Sequence, residues 1–295
     1  MSAVIFPNYR IFTDAASDLG LSMMEGLPHV EVVSMGVHFG DEAHTFGPDG
    51  DLSISNFYAQ LRAGKFAGTS QATPETFKQA FIRALSDSCD VLCLCLSSGI
   101  SGSYNSACIA AEELREEYPD RKIIVIDTIC ASVGQGFLIR EAARMQSQGM
   151  AIDALADWVR AHQFDVCHWF TVDTFTHLKH GGRVSAASAA IGGALNIKPL
   201  LHVTKDGTLS VYKKPRGAKG AMRAQLERME TGWTPEMGKL VVIGHADNPL
   251  GASQLRDQVS EKYPDAEIHI ADIGAVIGAH VGPGMLALIF WGTTR

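Results

Sequence analysis

Short apolar runs, bounded by polar or turn residues, recur along the chain, and between them apolar positions repeat at helical spacing. YRIFT (9–13) and VEVVSMGVHF (30–39) read as strands. DVLCLCL (90–96) and KIIVID (122–127) are apolar at successive positions, as strands covered on both faces are. SISNFYAQLR (53–62) reads as a short helix. Thr73-Pro74 opens the next one, over ETFKQAFIRALS, with a hydroxyl cap followed by proline at the first helical position. Ala107, Ala110, Ala111, Leu114 and Tyr118 form the apolar stripe of a helix from about Ser103, and two further helices end near His162. Strand and helix in this alternation predict a parallel sheet with helices on both sides, a Rossmann-like α/β/α domain.

The rhythm changes after residue 163. CHWFTVD (167–173) reads as a strand, and LLHVT and TLSVYKK flank a hairpin turn at Asp206-Gly207. KLVVIGHA, EIHIADI and MLALIFWG are further strands, with a helix near Leu250 to Tyr263. A hairpin inside a βα pattern predicts a mixed or antiparallel sheet. The expectation is therefore two α/β domains, 1–163 and 164–295.

Composition narrows what such a chain does. With 295 residues, 46% of them hydrophobic, it can build a core and keep apolar volume for a cavity. The net charge of −7 and the lack of a basic run speak against nucleic acid and against an anionic membrane surface. No uncharged apolar stretch reaches the length of a membrane span. The N-terminus lacks the pattern of a secretory leader, and the expected location is the cytoplasm. Six cysteines include Cys93 and Cys95 on one face of a strand, with no C-x-x-C pair. They read as buried, reduced thiols, and no metal site is expected.

Four segments rich in Gly, Ser, Thr or His fall at element ends, where open α/β sheets bind ligands. GTSQATP (68–74) places Thr69 and Ser70 too early to cap the helix that Thr73 opens. LSSGISGSYNSA (96–107) joins a buried strand to a helix, and its hydroxyls and backbone N–H groups suit a small anion. No P-loop lysine is present, so a nucleoside triphosphate is not indicated. In 178–201, Lys179, His180 and Arg183 flank a Gly-Gly turn, and Ala186, Ala187, Ala189 and Ala190 would let a helix approach closely. GAHVGPG (278–284) sets His280 among glycines before the last strand. A serine hydrolase is the rival reading, but Gly99-Ile100-Ser101-Gly102-Ser103 lacks the last glycine of a nucleophile elbow.

Taken together, DAASD (14–18), Thr69-Ser70-Gln71, SSGISGSY (97–104), FTVDTFTHLKHGGR (170–183), LNIKPLL (195–201), HAD (245–247) and AHVGPG (279–284) resemble the DegV family, in the family's order and over nearly the whole chain. The departures are small: TSQ continues as A-T-P in place of P-S, and the S-G-T-Y pattern reads S-G-S-Y. The resemblance implies a protein that buries a long-chain, palmitate-like fatty acid in a tunnel between two domains. It is not itself an enzyme and has no catalytic residue and no cofactor. The carboxylate would be held by Thr69 and Ser101, with Ser70 and Gly102 beside them and His280 near the head group. A separate ATP-dependent fatty-acid kinase would phosphorylate the acid, docking at a rim that includes Arg183. A serine esterase and a stand-alone lipid sensor remain the alternatives.

Overall fold

The computed structural model describes residues 8–184 and 196–295. Ala186, Ala187, Ala189 and Ala190, expected to form a closely approaching helix, lie outside the described residues. A parallel sheet in the order β2-β1-β6-β7 is built from β1 (Tyr9–Asp14), β2 (Val30–Val33), β6 (Asp90–Cys95) and β7 (Ile123–Asp127). Of its central strands, β6 is apolar and buried from Val91 to Cys95, as a strand covered on both faces is. Helix α2 (Pro74–Ser86) starts where the sequence requires: the Thr73 hydroxyl accepts from the amide of Thr76, 3.2 Å away. Helix α3 (Ser103–Glu117) follows β6, and helices α4 (Val133–Ser147) and α5 (Ile152–His162) follow β7.

A six-stranded mixed sheet comprises β8 (Val166–Thr171), β9 (Leu200–Val203), β10 (Leu209–Lys213), β11 (Leu240–His245), β12 (Glu267–Asp272) and β13 (Leu286–Trp291), in the order β10-β9-β8-β13-β11-β12. β11 and β12 run parallel; every other neighbouring pair is antiparallel. Helix α8 (Pro249–Lys262) lies where the sequence pattern put it. Helix α7 (Gly217–Gly232), the short helix α6 (Thr176–His180) and helix α9 (Ala275–Val281) do not follow from that pattern.

The stretch Val30–Phe39 departs from expectation. It is not one strand: β2 ends at Val33 and β3 (Met35–Phe39) leaves the parallel sheet for a three-stranded antiparallel one with β4 (Glu42–Phe46) and β5 (Gly68–Ser70). Ser34 alone separates the two strands, so local pattern cannot show that the hydrogen-bond partners change there. Gly36 faces Ser70 in this small sheet, and a Cβ at Gly36 would lie 2.1 Å from the Ser70 hydroxyl. Thr69 therefore sits on a strand of this small third sheet, and not on a loop.

The sheets change between residues 127 and 166, yet the core does not. Helix α4 packs between them: Gln135 Nε2 donates to Thr13 Oγ1 at 2.9 Å on one side, and Gly134 lies against the His168 ring of β8 on the other. A Cβ at Gly134 would be 2.0 Å from His168 Nε2, so glycine sets how closely helix and sheet approach. One buried apolar cluster runs from Phe12 and Phe81 through Phe137 to Trp291.

Candidate functional site

A cavity of about 350 Å³ lies between the inner face of the six-stranded sheet and the carboxyl ends of the parallel strands. Phe170, Ala287 and Ile289 supply its sheet side, Leu96 and Ile100 the opposite side, and Val276 and Ile277 of α9 a third. Strand alternation explains the sheet side: His168 and Phe170 face the cavity, while Cys167 and Trp169, alternating with them, pack into a second core behind the sheet.

Polar side chains gather in one part of this apolar space. Thr69, Ser70, Gln71, Ser101, Gly102, Arg183 and His280 all line it. Thr69 Oγ1 is 2.9 Å from His280 Nε2, a bond between residues 211 apart in sequence. Burial lowers the His280 pKa to about 4, with the Arg183 and His180 charges adding to the effect. The ring is therefore neutral near pH 7 and carries one N–H. Its Nδ1 is buried with no partner among the described residues. Leaving a lone pair unpaired costs less than leaving an N–H unpaired, so the favoured tautomer has the proton on Nε2. His280 then donates to Thr69, and the Thr69 hydroxyl hydrogen is free to point into the cavity.

The second hydroxyl comes from the β6–α3 connection. Ser101 Oγ accepts from the Ser103 amide at 3.2 Å and lies 3.1 Å from Ser103 Oγ. The N-cap position of α3 is Gly102, so neither serine occupies it. The first-turn amides of α3, which a helix leaves unpaired internally, begin here. Gly102 lies under Gln71, and a Cβ there would be 1.9 Å from Gln71 Oε1, so a side chain at 102 would displace the glutamine amide. Gln71 in turn donates to Ser106 Oγ at 2.9 Å and ties the Thr69 strand to α3. Its part was not assigned from the sequence, although it follows Thr69 and Ser70 directly. Ser70 reaches the cavity edge, but its hydroxyl leans over Gly36.

Arg183, expected on a docking rim, is half-buried and lines the cavity, its Nε 3.4 Å from the Ile100 carbonyl and its Nη1 on the Gly181 carbonyl. The turn that carries it folds back over the 96–102 connection, which a Gly-Gly pattern does not reveal. Lys179 and His180, just before it, are exposed.

The site thus combines two hydroxyls, a neutral imidazole, helix-end amides and one guanidinium around an apolar space. That set suits one anionic head group on an apolar body. It does not suit ester hydrolysis at Ser101, whose described side-chain partner is Ser103 and not a histidine or carboxylate. His245 is elsewhere, beside Asp272 and the Asn248 amide. Among the described residues no cluster of His, Cys, Asp or Glu could hold a metal, and no helix is long and apolar enough to cross a membrane. The six cysteines are free; Cys93 and Cys95 are buried with their sulfurs 3.5 Å apart.

Comparison with known proteins covers nearly the whole chain. A family model described as "Uncharacterised protein, DegV family" matches residues 8–292. A DegV domain-containing protein of Clostridium perfringens is 39% identical over 287 residues, 97% of this chain and 98% of its own length. A protein of Thermotoga maritima named fatty acid-binding protein is 35% identical over 280 residues, 93% of this chain and 94% of its own. Among solved structures, a Thermus thermophilus protein described as a fatty-acid-binding DegV family member superposes with a TM-score of 0.84 at 28% identity, covering 97% of this chain and 100% of its own.

Proposed function

Because the chain belongs to the DegV family, we propose that it binds a long-chain fatty acid in this cavity, with the carboxylate at Thr69, Ser101 and His280. The observation that carries the reading is the Thr69–His280 bond at one part of a mostly apolar space. Fatty-acid binding by the similar Thermotoga and Thermus proteins supports it. A C16 acid has roughly 14 methylenes, and at about 0.8 kcal/mol each their burial contributes on the order of 11 kcal/mol before ordering costs. The chain supplies most of the affinity, and the hydroxyls orient the head group. A buried carboxylate without such donors would cost several kcal/mol.

Arg183 adds the positive charge that a bound carboxylate needs, and Gly102 lets the α3 amides approach it. The polar part of the cavity lies beside exposed Ser70, Gln71, Ser98 and Gly182, while Phe170 and Ile289 are buried. This polarity would keep the tail enclosed between an N-terminal domain, 1–163, and a C-terminal one, 164–295. It would also leave the carboxylate near the surface, where a separate kinase with its own ATP phosphorylates it. Exposed Lys179 and His180 suit the docking of such a partner. On this reading the chain carries substrate in the cytoplasm and performs no catalysis. Mass analysis of protein purified without detergent should find about one fatty acid per chain, the occupancy expected of binding this tight. A ligand-free protein that also ignores added palmitate would refute the proposal.

A further inference from the structure

The DAASD segment ends β1 with two buried carboxylates that fatty-acid binding leaves without a task. Asp14 Oδ2 accepts from the Leu96 amide at 2.8 Å, and its Oδ1 from the Ala16 amide at 3.2 Å. Asp18 Oδ2 accepts from the Ser132 hydroxyl at 2.6 Å, and its Oδ1 from the Gly274 amide at 2.8 Å. No lysine or arginine pairs with either among the described residues. The ionisable groups around Asp18 are Asp14 of β1, Asp272 of β12 and Tyr58 of helix α1 (Ile54–Arg62), none of them cationic. Burial accordingly lifts the Asp18 carboxyl to about 7, with the neighbouring aspartates adding to it. Backbone angles agree that the surroundings hold this segment in place: φ is 45° at Asp18 and 56° at Ser132, both in the left-handed region.

A buried, unpaired carboxylate lowers stability, and such groups persist where function needs them. The partners of Asp18 show what that need is. Ser132 opens α4 and lines the cavity; Gly274 opens α9, which carries Val276, Ile277 and His280 into the cavity wall. Tyr58 holds the Ile273 carbonyl from the outer side, 2.8 Å away, but Asp18 reaches both helix starts.

We propose that Asp18 is a positioning residue, tying the start of α4 to the start of α9 so that His280 meets Thr69 and the acyl space between the two helices keeps its width. The ligand in this inference rests on the fatty-acid reading; the tie itself does not.

Three variants test it. In Asp18→Asn the amide oxygen still accepts from Gly274, the amide nitrogen donates to a rotated Ser132 hydroxyl, and asparagine tolerates the left-handed backbone. Asp18→Ala removes both ties and Ser132→Ala removes one. Palmitate titration should find Asp18→Asn within about threefold of wild type, Asp18→Ala weaker by about tenfold or more, and Ser132→Ala between them. Near pH 8, Asp18→Asn should melt several degrees above wild type, because the buried charge is gone. That gain should shrink below about pH 7 and vanish only below about pH 3, where the carboxyl is protonated in both folded and unfolded chains. Hydrogen exchange on ligand-free protein should show faster exchange across 275–281 in Asp18→Ala and Ser132→Ala. A residue that served stability alone would move melting and affinity together. Wild-type exchange and palmitate affinity in Ser132→Ala, or in a folded Asp18→Ala, would overturn the proposal; so would an Asp18→Asn as weak as Asp18→Ala. If wild type ignores palmitate, the fatty-acid reading fails, and the exchange measurement still decides the role of Asp18.

Discussion

Replacing Thr69 with valine removes one oxygen and keeps the shape of the side chain and its suitability for a strand, so β5 should still pair with β3. Two losses follow. The bound carboxylate loses a charge-assisted hydrogen bond, which contributes roughly 1.5–3 kcal/mol. The His280 N–H loses its acceptor, 2.9 Å away, and this buried donor is left unpaired in the free protein. The second loss lowers stability more than affinity, so the first governs binding. At about 1.4 kcal/mol per factor of ten, palmitate should bind about 10- to 100-fold more weakly. Hexadecanol has the same tail and no charge, and its affinity should change by less than about threefold. Calorimetric titration of both ligands against wild type, Thr69→Val and Ser101→Ala is the assay. Equal losses for acid and alcohol would mean that the substitutions deform the cavity. No loss for palmitate would place its carboxylate away from Thr69 and refute the site.

Arg183→Met should weaken palmitate by about fivefold or more, because the guanidinium lines the cavity, whereas Lys179→Ala should leave palmitate binding unchanged and reduce only phosphorylation by a cognate kinase. Ala287→Phe should fill the apolar space and reduce palmitate binding by about 100-fold while an eight-carbon acid loses little, read by competition. Gly134→Ala should cost about 1–3 kcal/mol in urea unfolding, since a Cβ there would lie 2.0 Å from His168 Nε2. His280 has its pKa lowered to about 4 in the folded chain, so the cost of burying it falls, and stability rises, as pH goes from 4 toward the ordinary histidine value. His280→Gln should flatten that part of the stability–pH curve, measured by denaturation at several pH values.

Much of the architecture is local in origin and was legible in the residues. Thr73-Pro74 can only begin a helix well, DVLCLCL can only be a covered strand, and Asp206-Gly207 between two alternating runs turns a hairpin. Thr69 stood out as a hydroxyl too early to cap the following helix, whereas Ser101 and His280 were tied to a head group through the family resemblance. What the sequence could not determine is partner choice. An extended backbone carries the same pattern whichever strand it bonds to, so the change of sheet at Ser34 and the placing of Thr69 on β5 await the tertiary structure. The turn that presses Arg183 against Ile100, and the 211-residue jump that joins Thr69 to His280, have no periodicity to announce them. Asp18 shows the same limit. Its sequence neighbours say only that an acidic residue ends a short motif, and the folded chain alone brings Ser132 and Gly274 to its two oxygens.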